Sequence, residues 1–196
     1  MKTCLFGGSF DPVHEGHIAI ARRAYETCGL DEIVFLPCAQ SPLKETSPFL
    51  SDSQRIDCLE KALKDCPWAR IDTLDLHMPR PSWSWRLIER WRELHPGHDL
   101  YWLMGTDQWE ELEQWGRWQY IASMVTFIVH HRGTAPRPRP GVEALFIDGH
   151  HPASSSAIRQ SLTSSSPFPS GWLHPSVASE LNIHRPPDNQ KNLPPE

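Results

Sequence analysis

Short apolar runs that end in glycine or proline alternate along this chain with stretches of helical periodicity, and no other feature narrows the possible folds as much. Leu5-Phe6 runs into Gly7-Gly8, after which Ile18, Ala21, Tyr25 and Cys28 recur at helical spacing until Gly29. Ile33-Val34-Phe35-Leu36 before Pro37 reads as a buried strand, and Ile56, Leu59 and Leu63 mark a helix that Pro67 closes. Ile71 to Leu76 reads as a weaker, alternating strand; Trp83, Leu87, Trp91 and Leu94 form a helix face; Leu100 to Met104 is a strand ending at Gly105. Helical segments near 107–122, strands at Val125 to Val129 and Ala144 to Ile147, and a short capped helix from Ser156 to Leu162 complete the pattern. Strands alternating with helices predict a parallel sheet, because parallel neighbours need crossovers and the crossover helices cover both faces.

The 196 residues suit one domain, expected over 1–184, and the four prolines and few apolar residues of 185–196 predict a disordered tail. Arg132 to Gly141, with prolines at 136, 138 and 140, reads as an extended loop between strands. Lys plus Arg number 19 against 24 Asp plus Glu, a net charge of −5, so no global basic field exists to hold a nucleic acid polymer or an anionic membrane. Any phosphate must be held by a local site. The 5 cysteines include no Cys-x-x-Cys pair, and with no apolar leader before Gly7 and no 18-residue apolar run, reduced thiols in a cytoplasmic protein are expected. Most of the 9 tryptophans fall between 83 and 118 and suit either a core or a homo-oligomeric interface.

The strongest chemical signal is Gly7-Gly8-Ser9-Phe10-Asp11-Pro12-Val13-His14-Glu15-Gly16-His17, where the first strand gives way to the first helix. Ligands of open α/β sheets bind beyond the carboxyl ends of strands, glycines admit a phosphate close to the backbone, and a helix N-terminus offers N–H groups and partial positive charge. His14 and His17 are three apart, so on a helix starting near 14 both imidazoles face the same way, and Gly16 removes a side chain that would block a ligand. Two surface histidines after a glycine turn are the plainer reading. A zinc pair is another, with His130-His131 or His150-His151 supplying a third ligand.

This segment resembles the His-x-Gly-His signature of the nucleotidyltransferase superfamily, and Gly-Gly-Ser-Phe-Asp-Pro-Val-His is most similar to bacterial nicotinate-nucleotide adenylyltransferases. Ser154-Ser155-Ser156-Ala157-Ile158-Arg159, otherwise a capped helix start with an exposed arginine, resembles the same superfamily's Ile-Ser-Ser-Thr-x-Ile-Arg motif. The resemblance implies a doubly wound, Rossmann-like α/β fold with a five or six stranded parallel sheet. It implies that Gly7, Gly8, Ser9, Phe10, His14, His17, Ser154, Ser155, Ser156 and Arg159 bind ATP, with His14, His17, Lys44 and Arg159 acting in catalysis. Lys44 is what remains of a Pro-His-Lys element, here Pro42-Leu43-Lys44. Pro81-Ser82-Trp83-Ser84 resembles the family's Pro-Ser-Tyr-Thr, which implies an acceptor contact at Ser84. Gly105-Thr106-Asp107 with Trp115 resembles the acceptor site, where the indole stacks on a pyridine ring, and Trp109 and Trp118 are expected to be packing. Gly116 departs from the family's tyrosine, so part of the acceptor wall is missing or supplied from elsewhere, and Arg132 is implied as a contact to the acceptor phosphate. The implied reaction is AMP transfer from ATP, with Mg²⁺ carried by the nucleotide, to nicotinate mononucleotide, giving deamido-NAD and pyrophosphate. The alternatives are the same transfer to nicotinamide mononucleotide or phosphopantetheine, a cytidylyl transfer, and a non-catalytic nucleotide-binding module.

Overall fold

The computed structural model describes residues 1–40, 47–164 and 169–181. In chain order the elements are β1 (Lys2–Gly8), α1 (Glu15–Cys28), β2 (Glu32–Pro37), α2 (Asp52–Leu63), β3 (Ala69–Ile71), α3 (Ser84–Leu94) and β4 (Asp99–Gly105). They continue with α4 (Thr106–Glu110), α5 (Trp118–Ala122), β5 (Thr126–His131), β6 (Ala144–Asp148), α6 (Ser155–Ser164) and α7 (Pro175–Glu180). The strands form one sheet in the order β3-β2-β1-β4-β5-β6, every pair parallel. This is the doubly wound arrangement, with six strands. The chain builds outward from β1 to β3 and then from β4 to β6, so the winding reverses between β1 and β4, where open sheets of this kind leave a crevice.

Successive side chains of a strand point to opposite faces, and the core divides accordingly. Phe6, Ile33 and Phe35 pack with Ile18, Ala21, Leu59, Ile158 and Val177 from α1, α2, α6 and α7. Leu5, Val34 and Leu36 pack on the other face with Leu87, Ile88, Trp91, Trp109 and Ile121 from α3, α4 and α5. Ile33 to Leu36 are wholly buried, which is why that strand reads as an unbroken apolar run. Trp91 and Trp109 belong to this core, and each buried indole N–H has an acceptor: the Asp72 carboxylate at 3.2 Å and the Arg137 carbonyl at 3.1 Å.

Two segments differ from their sequence reading. The strand expected over 71–76 stops at Ile71, and Leu74–His77 is a 3₁₀ turn. The Asp72 carboxylate takes the Leu74 N–H at 2.9 Å, and such local side-chain acceptors compete with a sheet ladder. The helical segments expected near 107–122 are α4, a 3₁₀ turn at Leu112–Gln114 and α5, with Arg117 at a left-handed φ of 57° before α5. The unforeseen α7 opens with Pro175 as its first residue, and His174 accepts the Ser176 N–H at 3.3 Å.

The helix α2 carries a charge into the core. Arg55 is fully buried, its two terminal nitrogens donating to the Ser9 carbonyl and the Asp52 carboxylate, both at 2.7 Å. Arg55→Ala is expected to lower unfolding free energy in urea by about 3 kcal/mol, through a cavity and the loss of the guanidinium donor to the Ser9 carbonyl. A loss under about 1 kcal/mol would mean that water replaces the guanidinium without penalty.

Candidate active site

His14 immediately precedes α1 and His17 lies one turn in, and their rings stack with centroids 3.8 Å apart and planes 27° from parallel. The His14 backbone N–H donates to Nδ1 of His17 at 3.2 Å, which makes Nδ1 an acceptor and leaves the ring proton on Nε2. Phe10, 2% exposed and at a φ of 46°, sets its ring edge against His17 at 5.1 Å and against Phe6 at 5.4 Å. Its side chain is buried against His17 and Phe6, away from solvent. Gly16 has a different reason from the one its sequence suggests. A Cβ there would stand 2.9 Å from Cε1 and Nδ1 of His14, so the glycine makes room for the neighbouring imidazole itself.

Burial, and secondarily the nearby His151, push His14 down from 6.5 to about 4, so this imidazole is neutral at pH 7. Between those values the unfolded chain binds a proton that the native chain refuses, and stability contributed by the neutral ring is lost as pH falls through that window. Thermal melts from pH 7.5 to 4.5 should therefore show a decline in the native chain, on the order of 2–3 kcal/mol from this group, that is smaller in His14→Asn. Parallel declines in the two proteins would assign the acid sensitivity elsewhere.

The serine–arginine segment of α6 folds directly onto the glycine–histidine segment. The Ser155 hydroxyl donates to the Pro12 carbonyl at 3.0 Å, and Arg159 donates to the Asp11 carbonyl at 2.6 Å and to the Ser156 hydroxyl at 3.2 Å. Ser154 and Ser156 are exposed at the head of α6. The buried Asp11 carboxylate in turn accepts the Phe49 and Leu50 N–H groups at 2.7 and 2.8 Å. One loop thus ties together α1, α6 and the approach to α2. The donors at the head of α1 are fewer than expected, because the Glu15 N–H is bonded to the Trp172 carbonyl at 2.9 Å and the His14 N–H to His17. Lys44 and the 185–196 segment lie outside the described residues.

Beside this loop, at the β1–β4 reversal, opens a cleft. Gly7, Gly8 and Ser9 form one side, and Trp83, Ser84, Trp102 and Trp115 form much of the rest. Ser84 and Trp115, for which the resemblance implies acceptor contacts, both line this cleft. Asp107 and Arg132 do not line the cleft: the Asp107 carboxylate folds back on Gly105, while Gln108 and Glu111, further along the chain, face the space. Arg132 is exposed just past β5, where its charge helps depress His14. Sequence reading missed Asp75, 2% exposed, whose carboxylate accepts the Ala39 N–H at 2.8 Å. It also missed the use of Ser82, whose hydroxyl accepts the Ala39 and Gln40 N–H groups, both at 3.1 Å. No local pattern signals either residue, since both partners lie more than 35 positions away. Gly116 is covered by the ring of Trp83, the residue just before α3, so the wall absent from position 116 comes from there. Among the described residues no group of three or more His, Cys, Asp or Glu could hold a metal ion.

Parallel sheets with this strand order and a glycine-rich first turn form a class of nucleotide-binding domain. The chain belongs to the cytidylyltransferase-like family, whose profile matches residues 5–161. It is 33% identical over 180 residues to the probable nicotinate-nucleotide adenylyltransferase of Bacteroides thetaiotaomicron, a match covering 90% of this chain and 89% of that protein. It is 34% identical over 131 residues to the probable nicotinate-nucleotide adenylyltransferase of Methylacidiphilum infernorum, covering 67% of this chain and 64% of that one. In fold it matches the Plasmodium falciparum nicotinic acid mononucleotide adenylyltransferase complexed with NaAD, with a TM-score of 0.72, 20% identity, and coverage of 93% and 95% of the two chains.

Proposed function

We propose that this chain transfers AMP from MgATP to nicotinate mononucleotide, forming deamido-NAD and pyrophosphate. The observation that carries this reading is an adjacency: Gly7, Gly8 and Ser9 wall the tryptophan-lined cleft and run directly into the loop that holds His14, His17 and Arg159. An acceptor with its ring in the cleft would present its phosphate to a triphosphate lying over the histidines. The names and identities of the relatives agree with that reading.

The chemistry needs no nucleophile from the chain. A phosphate oxygen of the acceptor attacks the α-phosphorus of ATP, a new P–O bond forms, and the bond to the β-phosphate oxygen breaks with its electron pair leaving on pyrophosphate. Catalysis is positioning and charge stabilisation. His17 Nε2–H donates to a phosphate oxygen as negative charge shifts toward the leaving group. His14, neutral at pH 7, adds a hydrogen bond without electrostatic cost to its neighbour. Arg159 and Lys44 supply positive charge, the hydroxyls of Ser154 and Ser156 with the N-terminus of α6 receive phosphate oxygens, and Ser155 holds the loop through Pro12. Ser84 and Trp115 take the pyridine carboxylate and ring. Mg²⁺ enters as part of the substrate MgATP and neutralises triphosphate charge. Among the described residues no helix is long and apolar enough to cross a membrane.

The test is pyrophosphate release from MgATP with nicotinate mononucleotide, nicotinamide mononucleotide and phosphopantetheine in parallel, and with MgCTP replacing MgATP. Preference for nicotinate mononucleotide with MgATP is expected. Equal turnover of the amide would remove the carboxylate contact at Ser84 from the reading, and ATP binding without turnover of any acceptor would make the chain a non-catalytic module.

A further inference from the structure

The cleft wall at the head of α3 rests on a glycine where any side chain would crowd it. A Cβ on Gly116 would stand 3.0 Å from both Cε3 and Cζ3 of Trp83 and 3.7 Å from Cδ1 of Trp85. These are atoms of rigid rings, and the backbone beneath the first of them is fixed. The Trp83 N–H donates to the Pro81 carbonyl at 2.9 Å, its carbonyl accepts from Arg86 and Leu87, and the neighbouring Ser82 hydroxyl is held by two N–H groups of the 39–40 segment. On the other side Arg117 adopts a left-handed φ of 57° and lays its guanidinium 4.3 Å from the Trp85 ring centre. The corner at 115–117 is thus clasped to α3 at two points, and Trp83, Trp115 and Gly116 all face the cleft.

We propose that the Trp83 indole, seated on Gly116, is an acceptor-positioning wall of this cleft, sized for a flat heteroaromatic ring held between it and the rest of the aromatic lining. This deepens the proposed function and rests on it. The two residues act as one unit. Bulk at 116 displaces the indole, and loss of the indole leaves a Cβ at 116 only the ordinary 3.7 Å contact with Trp85.

Gly116→Ala, Trp83→Ala and the double variant should be compared with the native chain for kcat, for KM of nicotinate mononucleotide and for KM of MgATP. Each single change is expected to raise the acceptor KM about tenfold, as a displaced ring does, with the MgATP KM within about twofold. The double variant should be no worse than Trp83→Ala alone, because the effects of contacting residues that act as a unit do not add. Unchanged acceptor KM in both single variants, additive effects, or equal changes in both KM values would overturn the proposal. If Trp83→Ala fails to fold, Gly116→Ala against Trp83→Phe/Gly116→Ala keeps the test: the smaller ring should recover most of the acceptor KM, and no recovery would overturn it. A native chain that ignores nicotinate mononucleotide would sink the underlying reading, a result visible before any variant is made.

Discussion

Replacing His17 by alanine is expected to lower kcat for pyrophosphate release by about 10²-fold or more, as loss of a transition-state donor does elsewhere, with the fold retained. The geometry makes the expectation more specific than a simple deletion. Nδ1 of His17 already accepts the His14 N–H at 3.2 Å, so the donor that can serve a phosphate is Nε2–H. A glutamine amide nitrogen reaches roughly where Nε2 stands, and an asparagine amide roughly where Nδ1 stands. His17→Gln should therefore keep more activity than His17→Asn, and both should exceed the alanine variant. Equal rates for Gln and Asn would contradict this tautomer, and native kcat in His17→Ala would remove the residue from the reaction. Phe10 and Phe6 pack around the site whatever stands at 17, so melting temperatures should change little beside the kinetic effect.

Arg159→Ala should rank next, lowering kcat/KM for MgATP by about 10²- to 10³-fold. Two effects combine in it. A positive charge is lost beside the triphosphate site, and the Asp11 carbonyl loses a donor at 2.6 Å, releasing the loop that leads into His14. Arg159→Lys separates them, because lysine keeps the charge but cannot hold the Asp11 carbonyl and the Ser156 hydroxyl together in one planar fork. Partial recovery with lysine would divide the effect between charge and loop position. An alanine variant within about threefold of native would mean that neither matters to turnover.

Much of the architecture was legible because it is written in neighbouring residues. Apolar positions three and four apart drew α1 onto the sheet, and the run Ile33 to Leu36 announced a strand buried on both faces. The His14–His17 spacing announced two imidazoles facing the same way at a helix head, and the structure stacks them. Reading failed where a polar side chain took a backbone group that the periodicity had assigned to a ladder, as Asp72 does with Leu74. Side-chain direction was not legible either: Asp107 turns back on Gly105, and the Phe10 ring turns inward against His17.

The sequence by itself determined the alternation of elements, the strand-to-helix turn that carries the histidines and the chemical types that gather there, since periodicity and turn chemistry depend on residues within a few positions of one another. Only the tertiary structure decided which of those residues meet. Ser155 reaches Pro12 across 143 positions and Arg159 reaches Asp11 across 148, while Asp75 and Ser82 hold the 39–40 segment beside the cleft. Such contacts depend on the order in which the strands stack, and no local pattern encodes the distance between two side chains brought together by a sheet.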